Sequence, residues 1–225
     1  MILSVESRRK VAEFLLRIKA IQLRPNEPFT WASGRKSPIY CDNRKALSHP
    51  TVRTFIRQQS VVAIEKQFGK VDAIAGVATG GIALGALVAQ ELGLPFIYVR
   101  SKAKEHGLGN AIEGDLSVLS NVVVIEDLIS TGGSSLKAVQ ALRDAGVEVK
   151  GLVAIFTYGF EAAARAFADA HCQWLTLTDY STMLDQALQE GYLTESQRTM
   201  LNDWNQDPEG WSESFISRTA SKASK

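Results

Sequence analysis

From Val71 onward the chain alternates short apolar runs with helical stretches, reading VDAIAGVA, GGIALGALVAQELG, PFIYVR, NVVVIED, SSLKAVQALRDAG and VKGLVAIFTY. Strands that are apolar at every residue must be covered on both faces. Their alternation with helices therefore predicts an α/β fold, a central mainly parallel sheet flanked by helices in a doubly wound arrangement. AAARAFADA continues the pattern as a helix and QWLTLTD as a strand; helical segments follow around Met183 to Leu188 and Gln197 to Trp204, and the closing TASKASK reads as a frayed tail. Before the alternation, Val11, Phe14, Leu15 and Ile18 recur at i, i+3, i+4 and i+7, an amphipathic helix suited to a lid or dimer element. A turn-rich loop, SGRKSPIYCDNR, comes next, and His49-Pro50 opens a second helix through Phe55, Ile56 and Val62.

The 225 residues, 45% of them hydrophobic, suit one domain over 1–225 with a core at about 51–180. Twenty-five Lys and Arg against 24 Asp and Glu leave a net charge of +1, so no global field draws the chain to nucleic acid or to a membrane surface. Any anion chemistry has to come from local charge. Cys41 and Cys172 lie far apart without the spacing of a zinc site or a disulfide scaffold. No segment has the apolar core of a signal peptide or the length of a membrane span, and the expected setting is the cytoplasm.

In open α/β sheets ligands bind beyond the carboxyl ends of the strands, and three loops there stand out. In VVVIEDLISTGGSS an apolar strand ends in Glu126-Asp127 and passes through Leu128 and Ile129 to Ser130, Thr131, Gly132, Gly133 and Ser134 before a helix. Glycines admit close approach of a ligand, and hydroxyls with the free N–H groups of a helix start cradle a phosphate monoester. A hydroxyl-capped strand-to-helix turn would account for the Ser and Gly residues alone, but not for two adjacent acids, which suit the vicinal hydroxyls of a sugar. Successive strand residues face opposite sides, so Glu126 and Asp127 need not share a role. The second loop, RSKAKEHGLGNAIEG, carries Arg100, Lys104 and His106 among glycines. It is either a solvated charge run or a closing arm that stabilises charge on a leaving group. The third, GVATGG, holds Thr79, Gly80 and Gly81, read as ligand-contacting or as a helix start packed tightly through its glycines.

The Glu126 to Ser134 stretch resembles the phosphoribosyl diphosphate signature of the type I phosphoribosyltransferases. The resemblance implies that family's fold, with a small N-terminal hood formed mainly by about 1–50 plus C-terminal elements. It assigns the ribose hydroxyls to Glu126 and Asp127, the 5′-phosphate to the loop through Ser134, and the diphosphate to Thr79, Gly80 and Gly81. Within that superfamily, Arg100, Lys104 and His106 resemble the Arg-x-x-x-Lys-x-His of the orotate phosphoribosyltransferases, whose arm often crosses a dimer interface. A homodimer sharing the 101–114 loop is thus implied. Ser33, Gly34, Ser37 and Pro38 are similar to that family's hood segment, placing Lys36 and Tyr40 with Ser130 near orotate. Where some members have lysines beside the loop Arg and before the Ser-Gly, this chain has Ser101 and Ala32.

The resemblance implies transfer of a phosphoribosyl group to orotate, by positioning and electrostatics at Arg100, Lys104, His106 and Asp127, with Mg²⁺ carried on substrate oxygens rather than by a protein ligand set. Phosphoribosyltransferases for purines or uracil, and a regulator that binds phosphoribosyl diphosphate without turnover, are the rival classes. The loop cations and the lack of a basic excess weigh against the regulator. His49, His171 and the four tryptophans read as structural.

Overall fold

A computed structural model describes residues 2–31, 34–101, 111–117 and 119–223, with side chains through Thr219. The order is α1 (Val5–Arg17), β1 (Ile21–Leu23), β2 (Phe29–Thr30), β3 (Lys36–Ser37), β4 (Ile39–Cys41), a 3₁₀ turn (Asn43–Ser48) and α2 (Pro50–Phe68). The alternating region then supplies β5 (Ala73–Val77), α3 (Gly80–Leu92), β6 (Phe96–Val99), β7 (Ile112–Glu113), β8 (Asn121–Ile129), α4 (Gly133–Asp144), β9 (Glu148–Thr157), α5 (Glu161–Asp169) and β10 (Trp174–Thr176). Helices α6 (Tyr180–Gln189), α7 (Glu195–Gln206) and α8 (Pro208–Ala223) close the chain.

Six strands form one sheet in the order β10-β9-β8-β5-β6-β7, parallel except for β7, which pairs antiparallel with β6. The apolar runs are uniformly apolar because both faces are covered. On β8, Val123 and Ile125 join one buried cluster with α2 and α3, while Val122 and Val124 join a second with α4 and α5. β5 divides likewise, Ile74 to the first and Ala73, Ala75 and Val77 to the second. Strand order reverses between β5 and β8, the place where doubly wound sheets open a crevice at their carboxyl ends.

Two features shape that crevice. β5 stops pairing with β8 at Gly76 opposite Ile125, whereas β8 stays paired with β9 as far as Ile129 opposite Thr157, so Glu126 to Ile129 overhang the shorter strand. Above them lies a cap of two short antiparallel ribbons, β1 with β4 and β2 with β3. α8 clamps the second ribbon: the Lys36 N–H donates to Ser212 Oγ at 2.9 Å, and Arg35 pairs with Glu209 at 2.6 Å.

The N-terminal helix packs into the first cluster through Val11, Ala12 and Leu15, all fully buried. Residues 219–223, read as a frayed tail, continue α8 as helix. The Asp-Pro-Glu at its start is a helix-opening pattern, and the Gly210 N–H donates to Asp207 Oδ1 at 3.0 Å. No helix among the described residues is long and apolar enough to cross a membrane.

Candidate active site

β8 carries its two acids into different surroundings, as the alternation of strand side chains requires. Glu126 is 4% exposed; its Oε2 accepts from Ser135 Oγ of α4 at 3.1 Å and its Oε1 from the Asp127 N–H at 3.0 Å. Burial, reinforced by the adjoining Asp127 carboxyl, pushes Glu126 well above the usual carboxylate range. Asp127 turns toward α3 and lies on Gly80, where an added Cβ would sit 2.3 Å from Asp127 Cγ. Its backbone is held from both sides, because its carbonyl accepts from Asn43 Nδ2 at 2.7 Å. Asn43 is 1% exposed and its own Oδ1 accepts from Cys41 Sγ at 3.3 Å. The cap is thus tied directly to the overhanging strand.

The glycines of the loop between β5 and α3 separate into two tasks. A Cβ on Gly81 would lie 2.2 Å from Ile125 O, so α3 begins in backbone contact with β8; the tight-packing reading holds for that residue. Gly80 gives the Asp127 carboxylate its seat. Thr79, exposed, makes no side-chain cap on α3, whose first N–H groups have no partner within the helix. In the loop after β8, Gly132 adopts φ +84°, and a Cβ there would meet Phe167 at 2.7 Å. Gly133 differs: nothing lies within 4 Å of the Cβ it lacks, and its φ is not positive. Neither packing nor backbone conformation asks for glycine there, and the open space suits a ligand.

Two adjoining cavities share Cys41 and Leu128. The first, about 390 Å³, lies over the switch point between Ala78 to Gly80, Glu126 to Leu128, Ser134 and the cap residues Cys41, Asp42 and Arg44. The second, about 490 Å³, is walled by Phe29, Thr30, Trp31, Tyr40, Ser130 and Tyr158. Aromatic faces on several sides suit a planar ring. Its walls are stiffened from behind, Trp31 edge-on to the buried Trp204 at 6.5 Å and Phe29 against Tyr40 at 5.5 Å.

Of the residues read from sequence, the structure brings Thr79, Gly80, Glu126, Asp127, Leu128 and Ser134 to the first cavity, and Leu128, Ser130 and Tyr40 to the second. Lys36 stands behind the wall, its Nζ donating to Thr30 Oγ1 at 2.7 Å. Ile129 is fully buried, so only its backbone is available to a ligand. Arg100, at the end of β6, pairs with Glu113 at 3.4 Å and lines neither cavity. Lys104, His106 and Ser33 lie outside the described residues. Sequence reasoning missed Asn43, Arg44 and Tyr158, and it took Trp31 for purely structural. The signal for Asn43 and Arg44 was present in the polar DNR that follows an aromatic strand, but nothing local said which way it pointed.

A crevice at a parallel-sheet switch point, with an acid pair on one strand and glycine-rich helix starts beside it, is a binding site for a sugar phosphate of the kind doubly wound α/β enzymes build. Residues 55–177 match the phosphoribosyl transferase domain family. Among curated relatives, orotate phosphoribosyltransferase of Phocaeicola vulgatus is 59% identical over 89% of this chain and 94% of its own, and that of Listeria innocua 54% over 90% and 97%. The crystal structure of orotate phosphoribosyltransferase from Aeropyrum pernix superposes with TM-score 0.68 at 25% identity, covering 82% of this chain and 99% of that one. The chain belongs to the orotate phosphoribosyltransferase family.

Proposed function

We propose that the protein transfers the 5-phosphoribosyl group from phosphoribosyl diphosphate to orotate, giving orotidine 5′-phosphate and diphosphate in pyrimidine synthesis. The observation that carries this reading is the adjacency of the two cavities at Cys41 and Leu128: a polar chamber with an acid pair lies beside an aromatic one whose faces suit a planar base. Asp127 and Glu126 take the ribose hydroxyls. The loop through Ser130, Thr131, Gly132, Gly133 and Ser134, with the backbone of Leu128 and Ile129, takes the 5′-phosphate. Thr79 and Gly80 face the diphosphate, with Gly81 behind them offering at most its backbone. Orotate enters the aromatic chamber against Tyr40 and Ser130, with Lys36 close behind Thr30.

In the reaction the bond from the anomeric carbon to the diphosphate oxygen breaks, N1 of orotate bonds to that carbon, and the N1 proton passes to His106 or to the departing diphosphate. Arg100, Lys104 and His106 stabilise the charge that builds on the leaving group. Arg100 must leave Glu113 to do so. The donor set fits a substrate-borne Mg²⁺, since Asp127 presents a half-buried carboxylate at the polar chamber while Glu126 is buried against Ser135. Mg²⁺ bound to the substrate neutralises diphosphate charge and improves the leaving group. The working unit on this reading is a cytoplasmic homodimer whose 101–114 loop is shared between sites.

The test is the fall in orotate absorbance on mixing the protein with Mg²⁺, orotate and phosphoribosyl diphosphate, with adenine, hypoxanthine and uracil in parallel. Loss of orotate that depends on phosphoribosyl diphosphate supports the reading; turnover of another base, or tight binding without turnover, overturns it. The open space at Gly133 gives a sharper check. Gly133→Ala should raise KM for phosphoribosyl diphosphate about 10-fold with the melting temperature unchanged or slightly higher, since alanine favours the helix. An unchanged KM would show that the space holds no phosphate.

A further inference from the structure

We propose that Arg44 is a binding residue for the diphosphate group, held in place by its neighbours Asp42 and Asn43, so that the cap contributes a third, cationic arm to the polar chamber. The inference rests on the reading of that chamber as the phosphoribosyl diphosphate site.

Charge balance raises the need. The ionisable groups lining the chamber are Asp42, Arg44, Glu126 and Asp127, together with the Cys41 thiol, which burial keeps protonated. Among the described residues Arg44 is the one cation that lines it. A diphosphate ester placed against Asp127 and Asp42 needs positive charge close by, and Arg100 is turned to Glu113. Geometry shows that Arg44 is braced for the task. Its Nε donates to Asp42 Oδ1 at 2.7 Å, which fixes one edge of the guanidinium and leaves its terminal nitrogens for an oxyanion, the forked arrangement that suits phosphate oxygens. Its side chain is 57% exposed, so it has room to receive a ligand.

The turn that carries Arg44 is registered to the acid strand. Asn43, the preceding residue, is buried and donates to the Asp127 carbonyl at 2.7 Å across 84 positions of sequence. Arg44 therefore sits at a fixed offset from Asp127. The chamber wall it shares is formed by Ala78, Thr79 and Gly80 from the loop after β5, whereas Ser134 is the one residue there from the Ser130 to Ser134 stretch. That placement assigns Arg44 to the diphosphate rather than the 5′-phosphate.

The experiment compares the wild type with Arg44→Gln, Arg44→Lys and Asn43→Ala, titrating each with inorganic diphosphate in Mg²⁺ and with ribose 5-phosphate by calorimetry, alongside KM for phosphoribosyl diphosphate and a melting curve. Loss of a charge-assisted contact should weaken diphosphate binding on the order of 10- to 100-fold in Arg44→Gln. Ribose 5-phosphate affinity and the melting temperature should stay unchanged. Arg44→Lys should recover part of the loss, and Asn43→Ala, which releases the turn from the Asp127 carbonyl, should weaken diphosphate binding together with a lower melting temperature. Unchanged diphosphate affinity in Arg44→Gln, or an equal loss for ribose 5-phosphate, overturns the assignment. Wild-type turnover of orotate separates the two questions: without it the reading of the site itself fails, and with it only the role of Arg44 is at stake.

Discussion

Lys104→Ala should lower kcat on the order of 100- to 1000-fold, the usual cost of removing one donor from a site where negative charge develops. The diphosphate oxygen takes up charge as its bond to the anomeric carbon stretches. A cation brought to it then acts on the transition state more than on the bound substrate, so kcat rather than KM should carry the effect. Arg100→Ala in parallel should show the same sign. The pair to measure is turnover at saturating substrates and the melting temperature. A large fall in turnover with an unchanged melt supports the role; unchanged turnover removes Lys104 from it, and a matching fall in melting temperature would mean that the substitution acts through folding.

Gly81→Ala should be strongly destabilising for the addition of one methyl group. The Cβ it introduces would lie 2.2 Å from Ile125 O and 3.1 Å from Ile125 C, backbone atoms in the middle of the sheet, so α3 must lift away from β8. Overpacking of this sort costs about 3 kcal/mol or more, a fall on the order of 10 °C in melting temperature for a domain of this size. The same lift would move Thr79 and Gly80 relative to Asp127, so KM for phosphoribosyl diphosphate should rise as well. Calorimetric melting with steady-state kinetics reads both. Set beside Gly133→Ala, which should alter KM and leave the melt alone, it distinguishes a glycine required by packing from one required by a ligand.

Those two glycines also show where sequence stops informing. The alternation after Val71 could be read because a strand buried on both faces has no polar positions to blur it, and Val122 to Ile125 divide between two clusters as a two-residue period demands. The acid pair was legible for the same reason, being polar residues in a run that otherwise excludes them. Gly80 and Gly81 were not separable, because their difference lies in which atoms of β8 each one faces, and β8 comes some forty residues later in the chain. The cap was opaque to period and spacing, and only the family resemblance pointed to it, through Tyr40. Its ribbons are two or three residues long, too short to carry a period, and they are held by partners such as Ser212 and Glu209 more than 170 positions away. Asn43 and Arg44 look alike on paper, two polar residues in a turn, yet one is buried against Asp127 and the other opens on the chamber. The last helix was missed because the composition of TASKASK is that of a tail, while its anchors, Trp211 stacked on Phe215 at 5.3 Å, lie earlier in the element.

The extra length of β8 beyond β5 bears on the cost of binding. Glu126 and Asp127 ride on regular strand, hydrogen-bonded to β9 on one side and to Asn43 on the other, instead of on a loop that must be ordered around each incoming sugar. Their entropy is surrendered once, when the chain folds, and not at every catalytic cycle. A ribose that meets them finds its partners already in position, so the binding energy gained elsewhere on the substrate is free to bring the anomeric carbon and the base into line.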